Sequence, residues 1–96
     1  MINKVLNLLY QNKALDIRII NNNNLYSNYI IIVTGTSEKH IKHIMINIVK
    51  NIKKDIITVS GKNTNWVIID MGIITLHVMS KFSRLIYNLE LFYKNM

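Results

Sequence analysis

The chain has no cysteine and no proline, one alanine, two arginines and three glycines. Without cysteine there is neither a disulfide framework nor a thiolate metal site, and the redox compartment stays open. Acidic residues are scarce too: Asp16, Glu38, Asp55, Asp70 and Glu90 are all there are. No two of them are spaced as a metal-binding pair on one strand, so metal-assisted chemistry lacks its ligands and the chain does not read as an enzyme. No apolar run approaches the roughly 20 residues needed to span a bilayer, and no membrane partner is expected. The N-terminal stretch MINKVLNLLYQNK has too short an apolar patch for a signal peptide and no small-residue cleavage site. It also lacks the Arg and Ser richness of a transit peptide.

What fills the chain instead is Ile, Asn and Lys. These preferences track codons rich in A and T, which points to a genome under strong AT bias, as in reduced bacteria or organelles. The expected location is the bacterial cytoplasm, with an organelle as the second setting. The formal charge of +7 is discounted accordingly. A nucleic-acid face would concentrate Arg and Lys among stacking aromatics, whereas here Lys is spread over nearly every segment. Solvated lysines with some non-specific attraction to polyanions are the expectation. Half of the residues are hydrophobic and fall in periodic segments, so residues 1–96 are expected to form a single domain with one core.

The organising stretch is YIIIVTGTSEKHIKHIMINIVKNIK, Tyr29 to Lys53. Five apolar residues, Tyr29 to Val33, predict a buried strand. Thr34-Gly35-Thr36-Ser37 breaks it, with Gly35 expected to supply backbone angles closed to other residues and Ser37 to cap the next helix. In that helix Ile41, Ile44, Met45, Ile48, Val49 and Ile52 form one apolar stripe opposite Lys39, Lys42, His43, Lys50 and Lys53. Before it, residues 2–11 predict a short amphipathic helix through Ile2, Val5, Leu6 and Leu9. Leu15 to Ile20 predict a half-buried strand with Leu15, Ile17 and Ile19 on one side. Asn21-Asn22-Asn23-Asn24 suits a turn between the two strands.

After the central helix, Ile56 to Val59 predict a short strand at an edge, and Ser60 to Asn65 a loop around Gly61. Trp66 to Asp70 and Ile73 to Met79 predict a hairpin about Met71-Gly72. Phe82 to Tyr93 predict a last helix after Ser80, with Phe82, Leu85, Ile86, Leu89, Phe92 and Tyr93 on one broad face. The expected fold is therefore α/β, a mixed five-stranded sheet with three helices in the order α-β-β-α-β-β-β-α.

Strand parity sends Val67, Ile69, Ile74, Leu76 and Val78 toward the helices. Trp66, Ile68, Asp70, Ile73, Thr75, His77 and Met79 are left on the other face, with Trp66 and Met79 expected to be exposed. Three helices are few to cover both faces of five strands, and an uncovered apolar face marks a protein–protein site. The alternative is that the first helix covers it, or that Trp66 caps the edge of the core. His40 and His43 lie one helical turn apart, yet no Cys or nearby carboxylate completes a zinc set. Gly35-Thr36-Ser37 before a helix suits a phosphate but lacks the Lys of a P-loop and the spaced glycines of a dinucleotide fingerprint. No metal and no cofactor are expected.

YIIIVTGTSEKH, NWVIIDMGIITLHVM and SRLIYNLELFY, in this order and spacing, resemble the ribosomal silencing factor family, also called iojap or YbeB-like. The likeness runs from about Ala14 to Tyr93. Its matching positions are Thr34, Gly35, Thr36, Ser37 and His40, then Trp66, Asp70, Gly72, His77 and Val78, then Arg84, Tyr87, Leu89 and Glu90. The resemblance implies a domain related to the nucleotidyltransferase fold but without its catalysis. It implies binding to the large ribosomal subunit through its ribosomal protein number fourteen, with a peripheral contact to ribosomal RNA. It also implies a steric block to joining of the small subunit, which represses translation. Large-subunit assembly is the related role of organellar members. The contact residues it implies here are Trp66, Ile68, Asp70, Met71, His77, Met79 and Tyr87, on a monomer or weak homodimer. Departures from the family pattern are Asn28, Lys62 and Ile73 at usually acidic positions, a loop one residue short between Gly61 and Trp66, and Tyr93 for the usual tryptophan. Two other classes compete: a small nucleotidyltransferase, which would need two neighbouring carboxylates, and an RNA-binding module, which would need a basic, aromatic-rich sheet face.

Overall fold

The computed structural model describes residues 1–21 and 26–94. In chain order the elements are helix α1 (Ile2–Gln11), strands β1 (Leu15–Asn21) and β2 (Tyr29–Gly35), and helix α2 (Glu38–Asn51). Strands β3 (Thr58–Ser60), β4 (Trp66–Asp70) and β5 (Ile74–Ser80) follow, then helices α3 (Lys81–Tyr87) and α4 (Leu89–Lys94). A 3-10 turn at Lys53–Asp55 follows α2. The expected order holds, with the last helix broken in two at Asn88. There the backbone is left-handed, φ 43° and ψ 59°, a conformation asparagine tolerates and one that ends helices. Of the asparagine tract, Asn21 closes β1, while Asn22, Asn23 and Asn24 lie outside the described residues.

The five strands form one sheet in the order β1-β2-β5-β4-β3. β2 and β5 run parallel, and the other neighbours are antiparallel. Placing β2 and β5 inside the sheet accounts for their nearly unbroken burial, since a strand covered on both faces needs apolar residues at both parities. Alternate residues accordingly join different clusters. Ile31, Val33, Val67, Ile69, Ile74, Leu76 and Val78 face an inner layer with Val5 and Leu9 of α1 and Ile41, Ile44, Met45 and Ile48 of α2. Of these, Val67, Ile69, Ile74, Leu76 and Val78 are the inward set that strand parity predicts. Ile30, Ile32 and Met79 face outward into a second, smaller cluster.

β1 departs from its expected alternation. Ile17 packs on the inner core and Ile20 on the outer cluster, as alternation expects. Leu15, however, pairs with Thr34, on the parity of outward-facing Ile32, while Ile19 pairs with inward-facing Ile31, and both are about half exposed. The reason is a bulge. Leu15 pairs with Thr34 but Arg18 with Ile32, so three residues are spent against two, and the side-chain parity reverses beyond it. Asp16, inside the bulge, has φ 47°. The bulge and its exposed Asp16–Arg18 ion pair also blunt an edge strand that would otherwise invite pairing.

The turn into α2 works as expected at one residue and differently at another. Ser37 is extended and its side chain accepts from the His40 backbone N–H at 3.1 Å, an N-cap. Gly35, however, is ordinary strand. It is required for space, because a Cβ there would stand 2.6 Å from Ile41 Cγ1. The His40 ring joins this corner to α1: Nδ1 accepts from the Thr36 N–H at 2.9 Å and Nε2 donates to the Asn12 carbonyl at 2.8 Å. Both nitrogens are thereby occupied in holding α1 against the start of α2.

Candidate protein-docking surface

The outer face of the sheet is not bare. β4 and β5 pair so that Trp66 lies opposite Met79 and Ile68 opposite His77, and α4 folds back over this end. Leu89 and Tyr93 pack with Trp66 and Ile20 around Ile30, Ile32 and Met79. Met79 is fully buried and His77 is only 4% exposed, which corrects the expectation that this face is open. The cover comes from the C-terminal helices and not from α1, which lies on the inner layer.

A polar chain runs through this cover. The Trp66 indole N–H donates to His77 Nδ1 at 3.0 Å, and His77 Nε2 faces the Tyr93 hydroxyl at 3.2 Å. Because an indole can only donate, Nδ1 must be the acceptor, so Nε2 carries the proton and donates to Tyr93. Burial lowers the His77 pKa from 6.5 to about 4 and raises that of Tyr93. The imidazole is neutral because charging it would cost desolvation and turn its acceptor into a second donor aimed at the indole. Around this chain the rings form a ladder. Tyr87 lies 4.7 Å from Trp66, His77 6.0 Å from Tyr93, and Phe92 5.3 Å from Tyr93, edge-on.

Arg84 fastens α3 and α4 to the sheet. Its guanidinium is 9% exposed and donates to the Asp16 carbonyl at 2.5 Å and to Thr34 Oγ1 at 2.9 Å. It also forms ion pairs with the Asp16 and Glu90 carboxylates. One side chain thus ties together the β1 bulge, β2, α3 and α4. Ser80 caps α3 by accepting from the Ser83 N–H at 3.0 Å.

With Ser83 and Arg84 turned inward, the apolar residues of α3 turn outward. Phe82 is 71% exposed, Leu85 73% and Ile86 58%. Tyr87, Leu91 and Phe92 are each more than half exposed as well. The broad apolar face expected to bury this segment is in fact its solvent side, except at Leu89 and Tyr93. A concentration of large exposed apolar groups on two short helices is the feature of a protein-docking surface.

The expected contact residues divide accordingly. Tyr87 is exposed and Trp66 and Ile68 are half-buried at the margin. Asp70 is half-buried in the hairpin, where Oδ1 accepts from the Gly72 N–H at 2.9 Å. His77 and Met79 are buried beneath α4, and Met71 is buried in the inner core. Phe82, Leu85, Ile86 and Phe92 are the surface residues that periodicity assigns to the wrong side, and Leu91 joins them in solvent. The available signal was Asn88, a residue suited to breaking the helix. His40 and His43 lie apart from this surface, and among the described residues no three His, Cys, Asp or Glu side chains gather as metal ligands. Among the described residues no helix is long and apolar enough to cross a membrane.

A family model described as "Ribosomal silencing factor during starvation" matches residues 1–96. The curated ribosomal silencing factor RsfS of Haemophilus influenzae is 34% identical over 64 residues, covering 62% of this chain and 63% of that protein. The chain thus matches somewhat under two thirds of that relative's length. An X-ray structure of a Chromobacterium violaceum protein superposes with a TM-score of 0.87 at 26% identity, covering 97% of this chain and 83% of that one. A Bacillus halodurans protein superposes with a TM-score of 0.83 at 28% identity, covering 93% and 89%. From its first residue to its last, the chain belongs to the ribosomal silencing factor family.

Proposed function

We propose that the chain acts by binding and not by catalysis: it docks on the large ribosomal subunit, through ribosomal protein number fourteen, and sterically prevents the small subunit from joining. The observation that carries this reading is the exposed apolar surface of α3 and α4, with Phe82, Leu85, Ile86 and Tyr87 at its centre and Trp66 at its margin, on a member of this family. Aromatic and aliphatic side chains in such a patch supply the buried anchors on which interface affinity depends. The usually acidic family positions are Asn28, Lys62 and Ile73 here, so apolar contact and not charge steering carries the docking, and its affinity changes little with salt.

Subunit joining, followed by light scattering after mixing purified large and small subunits, tests the function. Preincubating the large subunits with this protein should lower the extent of joining in proportion to occupancy. Preincubating the small subunits should do so only once free protein reaches the large ones. Undiminished joining at saturating protein would overturn the blocking role, and binding without blocking would favour assembly of the large subunit instead.

A further inference from the structure

Lysines that are scattered in sequence meet on the α2 side of the sheet, the face opposite Trp66 and Tyr87. Lys4 of α1, Lys50 at the end of α2, and Lys53 and Lys54 of the 3-10 turn line one surface depression together with Asn51, Ile52 and Asp55. Lys50 and Lys53 also line a second depression with Lys62 from the β3–β4 loop, floored by Met45, Val49 and Val59. Five lysines from four segments therefore border two adjoining hollows, with Asp55 the one acidic residue lining either. Among the described residues none of the five is ion-paired. Complementing the negative end of the α2 dipole accounts for Lys50 and its neighbours. It does not account for Lys4 or Lys62, which arrive from elsewhere in the chain.

We infer that this cluster is a contact for the RNA phosphate backbone, distinct from the protein-docking surface. Unpaired ammonium groups a few ångströms to a Debye length apart sum their potentials and release condensed counterions when phosphates replace water. No aromatic side chain lines either hollow, so bases have no stacking platform and the contact reads backbone charge, not sequence. An acidic apolar peptide is the competing occupant of the second hollow alone. The first hollow, which holds four of the five lysines, is lined by polar groups apart from Ile52 and favours phosphate. The contact does not depend on the ribosome-docking reading, and it is tested without ribosomes.

The probe is a fluorescent oligouridylate of about 20 nucleotides, long enough to span such a groove. Its binding is measured by anisotropy across a salt series starting near ~50 mM. Two triple variants are compared: Lys50→Gln, Lys53→Gln, Lys54→Gln in the cluster, and Lys39→Gln, Lys42→Gln, Lys81→Gln outside it. Each removes three charges, taking +7 to +4, and circular dichroism checks that both fold. The cluster variant should weaken binding at least about tenfold and flatten the log–log salt slope by about 2, the share of three lost phosphate contacts on a single strand. The outside variant should lose less than about threefold. Equal losses would mean that net charge alone attracts RNA, and would overturn the assignment. RNA binding unchanged in the cluster variant would likewise overturn it.

Discussion

His77 is neutral because three things agree: it is buried, it accepts from Trp66 and it donates to Tyr93. Its pKa of about 4 against 6.5 has a definite consequence for stability. The unfolded chain takes up a proton near 6.5 and the folded one only near 4, so the contribution is complete above that window and is lost as pH falls through it. Between about pH 7 and pH 5 the loss should approach 2 kcal/mol. Thermal melts of the native chain beside His77→Phe should show it, the variant being flatter over that interval. Parallel curves would mean that His77 is not held neutral. The parity of β5 made it legible that His77 and Met79 share a face. That the face is closed was not legible, because it depends on where Tyr93 and Leu89 come to rest after Asn88.

At the scale of the element, the C-terminal segment shows how one buried cation replaces an apolar stripe. The spacing of Phe82, Leu85, Ile86, Leu89 and Phe92 suits burial of a long helix, but α3 is held to the sheet by Arg84 and Ser83 instead. Hydrophobic periodicity says that a helix has an apolar face, and only the partner decides whether that face is inside. The two arginines make the point measurable. Arg84 is buried among Thr34, Asp16 and Glu90, whereas Arg18 is mostly exposed beside Asp16. Arg84→Met should cost about 2 kcal/mol, less than the 3–5 typical of breaking a fully buried pair because its carboxylate partners are partly solvated. Arg18→Met should stay within about 0.5 kcal/mol. Urea unfolding distinguishes them, and equal costs would refute the fastening role. Strand β1 failed to follow its pattern for a related reason, since the bulge at Asp16 leaves no signature in residue type.

Across the whole molecule the sheet separates two surfaces. The inner layer, α1 and α2 on β2, β4 and β5, contains most of the buried core and was legible from period-two and helical patterns because those residues have no alternative but to pack together. The outer layer is thin and leaves apolar side chains of α3 and α4 in solvent. A docking function requires that these residues stabilise a complex and not the free fold. The most direct measurement is therefore the affinity of Ile86→Glu for isolated large subunits, taken by pelleting at several protein concentrations together with a thermal melt. Ile86 is 58% exposed, so the melting temperature should stay within about 2 °C of the native chain's. The affinity should fall at least tenfold, about 1.4 kcal/mol, for a charge buried in an apolar interface. Native affinity in the folded variant would contradict docking through α3 and α4.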